Sequence, residues 1–306
     1  MRHNLRLTTC IFATAFLIPA TVKSQPVEIA SAVEEISVIG KQDSYFNEDV
    51  KTGTKTNSNI FDIPLSISVI NDIFLRDLRA ETLSDAYPYT VGLSQSGINA
   101  NSFSLRGLPA DLQNVQVDNL PGLASRFGSP TTANVERIEI LKGPASVLYG
   151  QVEPGGLINI VSKRPEAETA IDVYATFQSY AGRTTGFGDD LGATLTVDAT
   201  GPLSEDGKWL YRLIGSAENI SSFREGVDYK NYYVFPSVTY LADGGATITV
   251  GAELLKEDGA ADDGLVAVNN DITLTAPINV RYQEPEDEDN DEGIVLFADL
   301  SFPLST

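Results

Sequence analysis

The chain has 306 residues and a formal net charge of −21 at neutral pH. A face that binds nucleic-acid phosphates must be basic, so this acidic balance argues against a nucleic-acid partner. The one histidine and the one cysteine are His3 and Cys10. If residues 1–24, which include both, are removed, the remaining chain has no imidazole or thiolate for a metal site, a disulfide or a nucleophile.

Residues 1–24 have the three parts of a secretory signal peptide. Arg2 and Arg6 supply a positive start, Leu7 to Ile18 an apolar core, and Pro19-Ala20 an exit of small residues. The apolar run is too short to span a bilayer as a helix. No other segment is long and apolar enough, so any membrane span is expected to be made by the strands of a β-barrel.

Residues 25–59 are predicted to be an N-terminal extension. It contains a short apolar strand in a polar setting, Glu34-Glu35-Ile36-Ser37-Val38-Ile39-Gly40. An extended segment of this kind can pair with the edge of a partner's sheet, because main-chain hydrogen bonds supply most of the affinity. The alternative is an N-terminal strand without a partner. Residues 42–59 are polar and indicate a linker.

A strand and two short helices are predicted next. Ile63 to Ile70 alternates as a strand, and Asn71 can cap a helix from Asp72 to about Arg79. Thr82-Leu83-Ser84-Asp85 has the capping-box spacing for a second short helix, which Pro88 is expected to end.

Two more strands are separated by polar loops. Phe103 to Gly107 is predicted to be a strand that ends in Arg106-Gly107, and Val115 to Asn119 alternates as another. Residues 94–102 and residues 120–132 are predicted to be loops.

The most informative stretch of the chain runs from Val135 to Pro165. Ile138 to Leu141 is a β-branched run that stops at Gly143-Pro144, which cannot extend a ladder. Ala145 to Tyr149 is one apolar helical turn, and Gly150 stands where a helix C-cap favours a positive φ.

The second half of this stretch turns back into a buried strand. Leu157 to Val161 is apolar except for one amide, Asn159. The whole stretch resembles the end of the plug domain of TonB-dependent outer-membrane receptors. The resemblance to the ferric-siderophore branch of that family is strongest in Gly155-Gly156-Leu157-Ile158-Asn159-Ile160-Val161-Ser162-Lys163-Arg164-Pro165. The alternative is a glycine-rich turn region of another secreted β protein.

The resemblance implies energy-coupled uptake of a ferric siderophore across the outer membrane. Residues 34–40 would be the TonB box, on which TonB, working with ExbB and ExbD, would pull. Residues 60–165 would be an α+β plug domain, a small mixed sheet with short helices. Iron would arrive only inside a preformed chelate, so no cofactor is expected. The protein is also expected to contact outer-membrane lipid and to be a monomer.

The resemblance also implies roles for charged plug residues. Arg106 and Lys142 match two basic plug positions that pair with barrel glutamates in the family. Lys142 stands where arginine is commoner, and lysine offers a point charge instead of a two-pronged donor. Glu136 and Arg137 lie in the same motif and are likewise predicted to be plug–barrel contacts.

In the family, plug loops form the floor of the ligand pocket. By that resemblance five residues are candidates for ligand contact, and the alternative for each is an ordinary solvated loop position. The candidates are Gln95, Asn99, Asn101, Arg126 and Phe127.

After Pro165 the hydrophobic period changes to two. This alternation is typical of a transmembrane barrel, with lipid on one side and the lumen on the other. A soluble β-sandwich has the same alternation and is the alternative. The links near 180–188, 220–229 and 258–290 are predicted to be long, and those at 201–207 and 243–245 short. The alternating segments lie near 171–177, 191–197, 209–217, 230–241, 246–257 and 294–300.

An acidic run at residues 284–293 has the spacing of a calcium loop only in part. Asp287, Asp289 and Asp291 are well spaced, but Gly293 falls one place late for an EF-hand and Ala298 stands at the closing glutamate position. A solvated acidic loop is therefore expected.

The barrel expected from residues 166–306 is incomplete. A plugged transporter barrel has about 22 strands, and these residues suffice for the first five or six antiparallel strands. We therefore expect an N-terminal fragment or a truncated reading frame that is not competent for transport alone. The alternatives are a haem or cobalamin receptor, a non-transporting remnant, or an adhesin-like surface β protein.

An enzyme is not expected. The run Gly143-Pro144-Ala145-Ser146-Val147 is not a nucleophile elbow, and the part of the chain beyond the signal has no histidine to act as a base. The chain also lacks a phosphate-cradling Gly-x-x-x-x-Gly-Lys motif.

Overall fold

A computed structural model describes residues 44–96, 102–121, 129–180, 191–262 and 264–303. Within these ranges, the part up to residue 162 consists of short elements. Its strands are β1 (Asp49–Val50), β2 (Ser58–Asn59), β3 (Ser66–Asn71), β4 (Leu93–Gln95), β5 (Phe103–Leu105), β6 (Leu108–Ala110), β7 (Val115–Val117), β8 (Leu120–Pro121), β9 (Val135–Lys142) and β10 (Gly156–Ser162). Its helices are α1 (Asp72–Leu78), α2 (Ser146–Tyr149) and the 3-10 helices Ile60–Asp62, Leu83–Tyr89 and Leu112–Asn114.

The part after residue 162 is built from long strands. They are β11 (Ala170–Ser179), β12 (Leu191–Pro202), β13 (Trp209–Ser221), β14 (Asp228–Leu241), β15 (Thr247–Ala260) and β16 (Glu288–Ser301), with a 3-10 helix at Ile272–Leu274. Among the described residues, no helix is both long enough and apolar enough to traverse a bilayer.

The plug is organised around a five-stranded mixed sheet in the order β3-β9-β10-β7-β8. Strand β10 pairs with β7 in parallel and with β9 in antiparallel fashion. On one face of the sheet, Ile138 and Ile140 pack into the main apolar core together with Leu83, Tyr87 and Phe103. The predicted combination of a small mixed sheet and short helices is confirmed.

Local capping signals explain where the helices begin. Asn71 caps α1 through its Oδ1, which accepts a hydrogen bond from the backbone nitrogen of Phe74 at 3.0 Å, as predicted. The backbone nitrogen of Thr82 donates to Asp85 at 2.9 Å, so the predicted capping box is present. Pro88 does not end that helix, which is a 3-10 helix and continues to Tyr89. The prediction was wrong because one missing N–H is tolerated at the end of so short a helix.

Two glycines have conformations that other residues adopt only with strain. Gly150 ends α2 with φ of 70°, as its C-cap position predicts. Gly156 begins β10 with φ of 136°, and a Cβ there would overlap the carbonyl oxygen of Leu141 and lie 2.7 Å from a Leu105 methyl. Gly156 therefore lets the hairpin from β9 to β10 close tightly.

Strands β11 to β16 form one antiparallel sheet in sequence order. The register aligns a row of small or apolar residues across the strands, and most of their side chains are exposed on the outer face. This confirms the predicted period of two and the predicted antiparallel strands of a partial barrel. The aligned row is Val173, Val197, Gly215, Val234, Leu254 and Ile294.

The inner face of this sheet contacts the plug. Ile214, Tyr233, Phe235 and Leu255 are buried there as a cluster, and Ala133 of the plug packs against it. The strands therefore lie against the plug as a separate wall, which is not the arrangement of a two-sheet sandwich.

Two predicted loops differ from the structure. The link between β13 and β14 covers only residues 222–227, the same length as the turn at 203–208, because both strands extend further than their apolar pattern suggests. The acidic run is also not entirely a loop. Strand β16 starts at Glu288 and pairs Glu292 with Lys256, so backbone pairing continues through the acidic residues.

Candidate functional site

Glu139 occupies the middle of the plug sheet and is fully buried, with 0% of its surface exposed. Its Oε2 accepts hydrogen bonds from the backbone nitrogens of Lys51 at 2.9 Å and Thr52 at 2.7 Å, and from the Thr52 hydroxyl at 2.6 Å. Its Oε1 accepts from Nε of Arg137 at 2.7 Å. A buried carboxylate is stable only when it is paired and hydrogen-bonded, and both oxygens of Glu139 meet that condition.

Thr52 is held from the plug side by two further groups. Nδ2 of Asn159, the one amide predicted inside β10, donates to the Thr52 hydroxyl at 3.0 Å. The Tyr149 hydroxyl lies 3.0 Å from the Thr52 carbonyl oxygen. Burial raises the pKa of Tyr149 to about 12, so this hydroxyl is a protonated donor at neutral pH. The N-terminal segment is thus fixed to the sheet through a polar network.

Two of the predicted plug–barrel residues pair within their own motif. Nη1 of Arg137 lies 2.5 Å from Oε1 of Glu136, and Arg137 also contacts Glu139 as described. Both Glu136 and Arg137 line a cavity of 1550 Å³ whose opposite wall belongs mainly to β14, β15 and β16. Their position faces the wall, and their role as plug–barrel contacts stays a prediction.

The other two predicted plug–barrel residues, Arg106 and Lys142, lie beside each other at one end of the sheet. Arg106 has φ of 55° in the turn after β5, and its guanidinium reaches over Gly143, next to Lys142. Burial, reinforced by the charge of Arg106, lowers the pKa of Lys142. Neither cation forms an ion pair with any residue the structure describes. Their pairing with barrel glutamates stays a prediction.

Residues 163–166, the linker from the plug to the wall of strands β11 to β16, carry a charge network that was not predicted from the sequence. Arg212 contacts Asp198 through Nη2 at 2.7 Å and Glu166 through Nη1 at 2.9 Å. Lys163 Nζ lies 3.0 Å from Asp198. The available signal was that Asp198 and Arg212 occupy inward positions of adjacent predicted strands, where charges must be paired.

A second linker contact ties three regions together. Nη2 of Arg164 lies 3.1 Å from Asp118 in the plug and 3.1 Å from Asp299 in β16. The guanidinium also lies over the ring of Phe297, 5.5 Å from its centre. The linker therefore contacts the plug and the last described strand at the same time.

The plug also touches the first strands of the wall. Nη1 of Arg76 donates to the Tyr174 hydroxyl at 3.1 Å, and the Thr194 hydroxyl donates to Oε2 of Glu81 at 3.1 Å. Burial raises the pKa of Glu81, although the bond from Thr194 opposes that effect. These residues line a second cavity, of 530 Å³.

Most of the predicted binding residues lie beyond what the structure describes. Gln95 is exposed at the end of β4. Asn99, Asn101, Arg126, Phe127 and the predicted TonB box at residues 34–40 are outside the described ranges. Within those ranges, no group of three or more His, Cys, Asp or Glu residues is placed to hold a metal ion.

The plug sequence matches a known domain family. The family described as TonB-dependent Receptor Plug Domain matches residues 59–157. This range contains β3, β7, β8 and β9, the start of β10, Glu139 itself and the Arg106–Lys142 pair.

Curated relatives extend the similarity into the strands. The metal-pseudopaline receptor CntO of Pseudomonas aeruginosa is 31% identical over 250 residues, which are 81% of this chain and 34% of the relative. The ferrichrome outer membrane transporter/phage receptor of Escherichia coli is 30% identical over 259 residues, 79% of this chain and 33% of the relative. The chain thus spans about a third of the length of these relatives.

Solved structures share the fold. A structure of the P. aeruginosa receptor FpvA bound to heterologous pyoverdines has a TM-score of 0.72 at 20% identity, covering 86% of this chain and 35% of that one. The siderophore receptor PiuA of Acinetobacter baumannii has a TM-score of 0.68 at 21% identity, covering 81% and 35%.

Proposed function

Since residues 59–157 of this chain are the plug domain of a TonB-dependent outer-membrane receptor, we propose that the protein imports a ferric siderophore. One observation carries the proposal. The plug continues directly into strands whose outer face is apolar and whose inner face is tied to the end of the plug through the Lys163–Asp198 and Arg212–Glu166 ion pairs. A plug seated against a membrane wall blocks a path that must be opened for a solute to pass.

The substrate class follows from the names of the relatives and from the chemistry of the chain. Relatives named for ferrichrome and ferrioxamine support an iron chelate. The relative named for metal-pseudopaline supports, as the second candidate, a metallophore carrying another metal. In either case the metal enters already chelated, and the protein needs no resident metal or other cofactor.

The energy and the partners belong to the same proposal. TonB, driven by ExbB and ExbD, pairs with residues 34–40 by strand addition and pulls on the segment that leads to Thr52. The whole receptor, of whose relatives this chain spans about a third, acts as a monomer in contact with outer-membrane lipid, without nucleic acid. It performs transport rather than catalysis, in keeping with relatives that are named receptors and transporters.

A single backbone group in the box tests this coupling. Proline removes the N–H that strand addition needs, whereas alanine keeps it. In cells that depend on the protein for iron, Val38→Pro is expected to abolish uptake of a radioactive iron-siderophore complex without changing its binding. Val38→Ala is the matched control and is expected to retain uptake.

Two results would contradict the proposal. Uptake that persists in the proline variant would show that the box is not the point of coupling. Loss of uptake in both variants, with binding retained, would show that uptake needs the Val38 side chain and not its backbone N–H, which contradicts coupling by strand addition.

A further inference from the structure

The two faces of the plug sheet are held in different ways. On one face, Ile138, Ile140, Ile158 and Ile160 pack in an apolar core. On the other face, the side chains of β9 include Arg137 and Glu139, which are both buried. This second face receives the N-terminal segment.

The N-terminal segment, residues 44–59, is docked on that second face, where Glu139 accepts hydrogen bonds from it while Tyr149 and Asn159 also bond Thr52. Two successive backbone nitrogens, of Lys51 and Thr52, and the Thr52 hydroxyl donate to Glu139. Val50 and Thr52 are fully buried in this position, at 0% exposure. The donors are separated from Glu139 by more than 80 positions in the chain, so the contact closes a long loop.

We propose that Glu139 is a positioning residue that holds the N-terminal segment as a releasable latch, which opens before the apolar face of the plug does. The latch deepens the proposed function, since a pull from residues 34–40 would pass the contacts of Ser44 and Tyr45 with Asn71 and Asp77 and then load the bonds of Glu139 to Lys51 and Thr52. Water can replace a hydrogen-bond donor on a carboxylate, whereas apolar side chains torn from their core gain no such compensation.

The opposite end of the plug is held more firmly. Lys163, Asp198, Arg212 and Glu166 join the linker to the wall through several ion pairs. A pull at residue 44 therefore acts against a fixed end at the linker. Between these two ends lies the Glu139 latch, and the segment from 44 to 59 is what it frees.

Cysteine labelling in outer membranes tests the latch directly. Cys10 is the one native cysteine, so a Cys10→Ser background leaves only the introduced thiol. Val50→Cys reports on the segment, and Ala86→Cys, 2% exposed in the apolar core, reports on the other face. Glu139→Gln keeps the shape of the side chain but removes the charge that its donors face.

With a maleimide probe, Glu139→Gln is expected to speed labelling of Val50→Cys about tenfold, the scale expected for losing hydrogen bonds to a charged group. Labelling of Ala86→Cys is expected to stay unchanged. Glu136→Gln is the matched control, because it removes a partner of Arg137 on the same strand without touching the segment. Glu139→Asp is expected to restore slow labelling in part.

Energised cells supply the second measurement. In the parent protein, labelling of Val50→Cys is expected to be faster in energised cells than in cells treated with a protonophore. In Glu139→Gln it is expected to be fast in both. A structural role alone would not produce this difference in energy dependence.

Several outcomes would overturn the latch. Equal labelling of Val50→Cys in Glu139→Gln and the parent would show that the carboxylate does not hold the segment. A parallel rise at Ala86→Cys would show that the whole plug loosens. Failure of the proposed function appears separately, as absent siderophore uptake in the parent protein, while the labelling ratio in de-energised membranes still decides the latch.

Discussion

Arg212 and Asp198 form a two-point ion pair across β12 and β13, with Nε to Oδ1 at 2.8 Å and Nη2 to Oδ2 at 2.7 Å. The two residues are diagonal neighbours, since Arg212 stands opposite Thr200 in the register. Both side chains are buried, and Nη1 of Arg212 also donates to the carbonyl oxygen of Arg164 at 2.9 Å. One guanidinium therefore joins two wall strands to the linker that leaves the plug.

Breaking this pair is expected to be costly. Asp198→Asn leaves a buried guanidinium without its full counter-charge and should lower the free energy of unfolding by about 3 to 5 kcal/mol. Urea titration of the protein in lipid vesicles measures this change. The control is Asp243→Asn at the exposed pair with Lys208, 2.8 Å apart, where a loss of about 0 to 1 kcal/mol is expected. Equal effects at the two sites would contradict the special role of the buried pair.

Glu81 is expected to make stability depend on pH. Its pKa is raised by burial in the folded protein, so the protonated form favours folding. That stabilisation is present below the unfolded pKa, near 4.5, and is lost as pH rises through the higher folded pKa. Glu81→Gln should therefore be more stable than the parent at pH 7 and equal to it at pH 4.

Thermal unfolding at pH 7 and pH 4 measures whether Glu81→Gln is more stable than the parent, as predicted, or less stable. Glu205→Gln, at an exposed position in the turn between β12 and β13, is the control and should leave the difference between the two pH values unchanged. A Glu81→Gln protein that is less stable at pH 7 would mean that the bond from Thr194 needs the ionised carboxylate.

The lipid-facing row predicts that the free-energy cost of an introduced arginine depends on its depth in the bilayer. Val234 lies in the middle of β14 with 42% of its surface exposed on the outer face, so Val234→Arg should cost about 2 to 4 kcal/mol. Ile248 has the same orientation but lies one residue from the start of β15, and Ile248→Arg should cost about 0 to 1 kcal/mol. Refolding into vesicles of defined thickness measures both. Equal costs would contradict the assignment of this face to lipid.

The cap of α1 is expected to contribute to plug stability. Asn71 accepts from the backbone nitrogen of Phe74 and donates from Nδ2 to the Ser44 carbonyl oxygen at 2.7 Å. Asn71→Ala should lower the unfolding free energy by about 1 kcal/mol. Asn59→Ala, which removes a similar cap from an exposed 3-10 turn, should cost less. The same denaturant titration compares the two variants.

Features set by local pattern were predictable from the sequence. The period of two in β11 to β16, the cap at Asn71 and the positive φ at Gly150 each depend on a few neighbouring residues, whose side chains or backbones decide the local geometry. The plug motif was also recognisable because its glycines and strand residues are contiguous.

Features set by distant contacts were not predictable. Thr52 and Glu139 are neighbours only because the N-terminal segment folds back on the sheet, and nothing near Thr52 in the sequence signals a buried carboxylate. The link at 222–227 is short because β13 and β14 continue pairing through polar residues such as Asn219 and Lys230. The periodicity of apolar residues cannot reveal backbone pairing between polar residues.

Of the positive-φ glycines in the described ranges, Gly156 leaves the least space for a Cβ, and this has a genetic consequence. Every missense allele at codon 156 places a Cβ against the Leu141 carbonyl oxygen. A saturation mutagenesis library should therefore contain no functional missense variant at position 156. Gly107 also has positive φ but faces open space, and asparagine alleles should survive there. Allele counts alone would thus separate a codon constrained by crowding from codons constrained only by backbone angle.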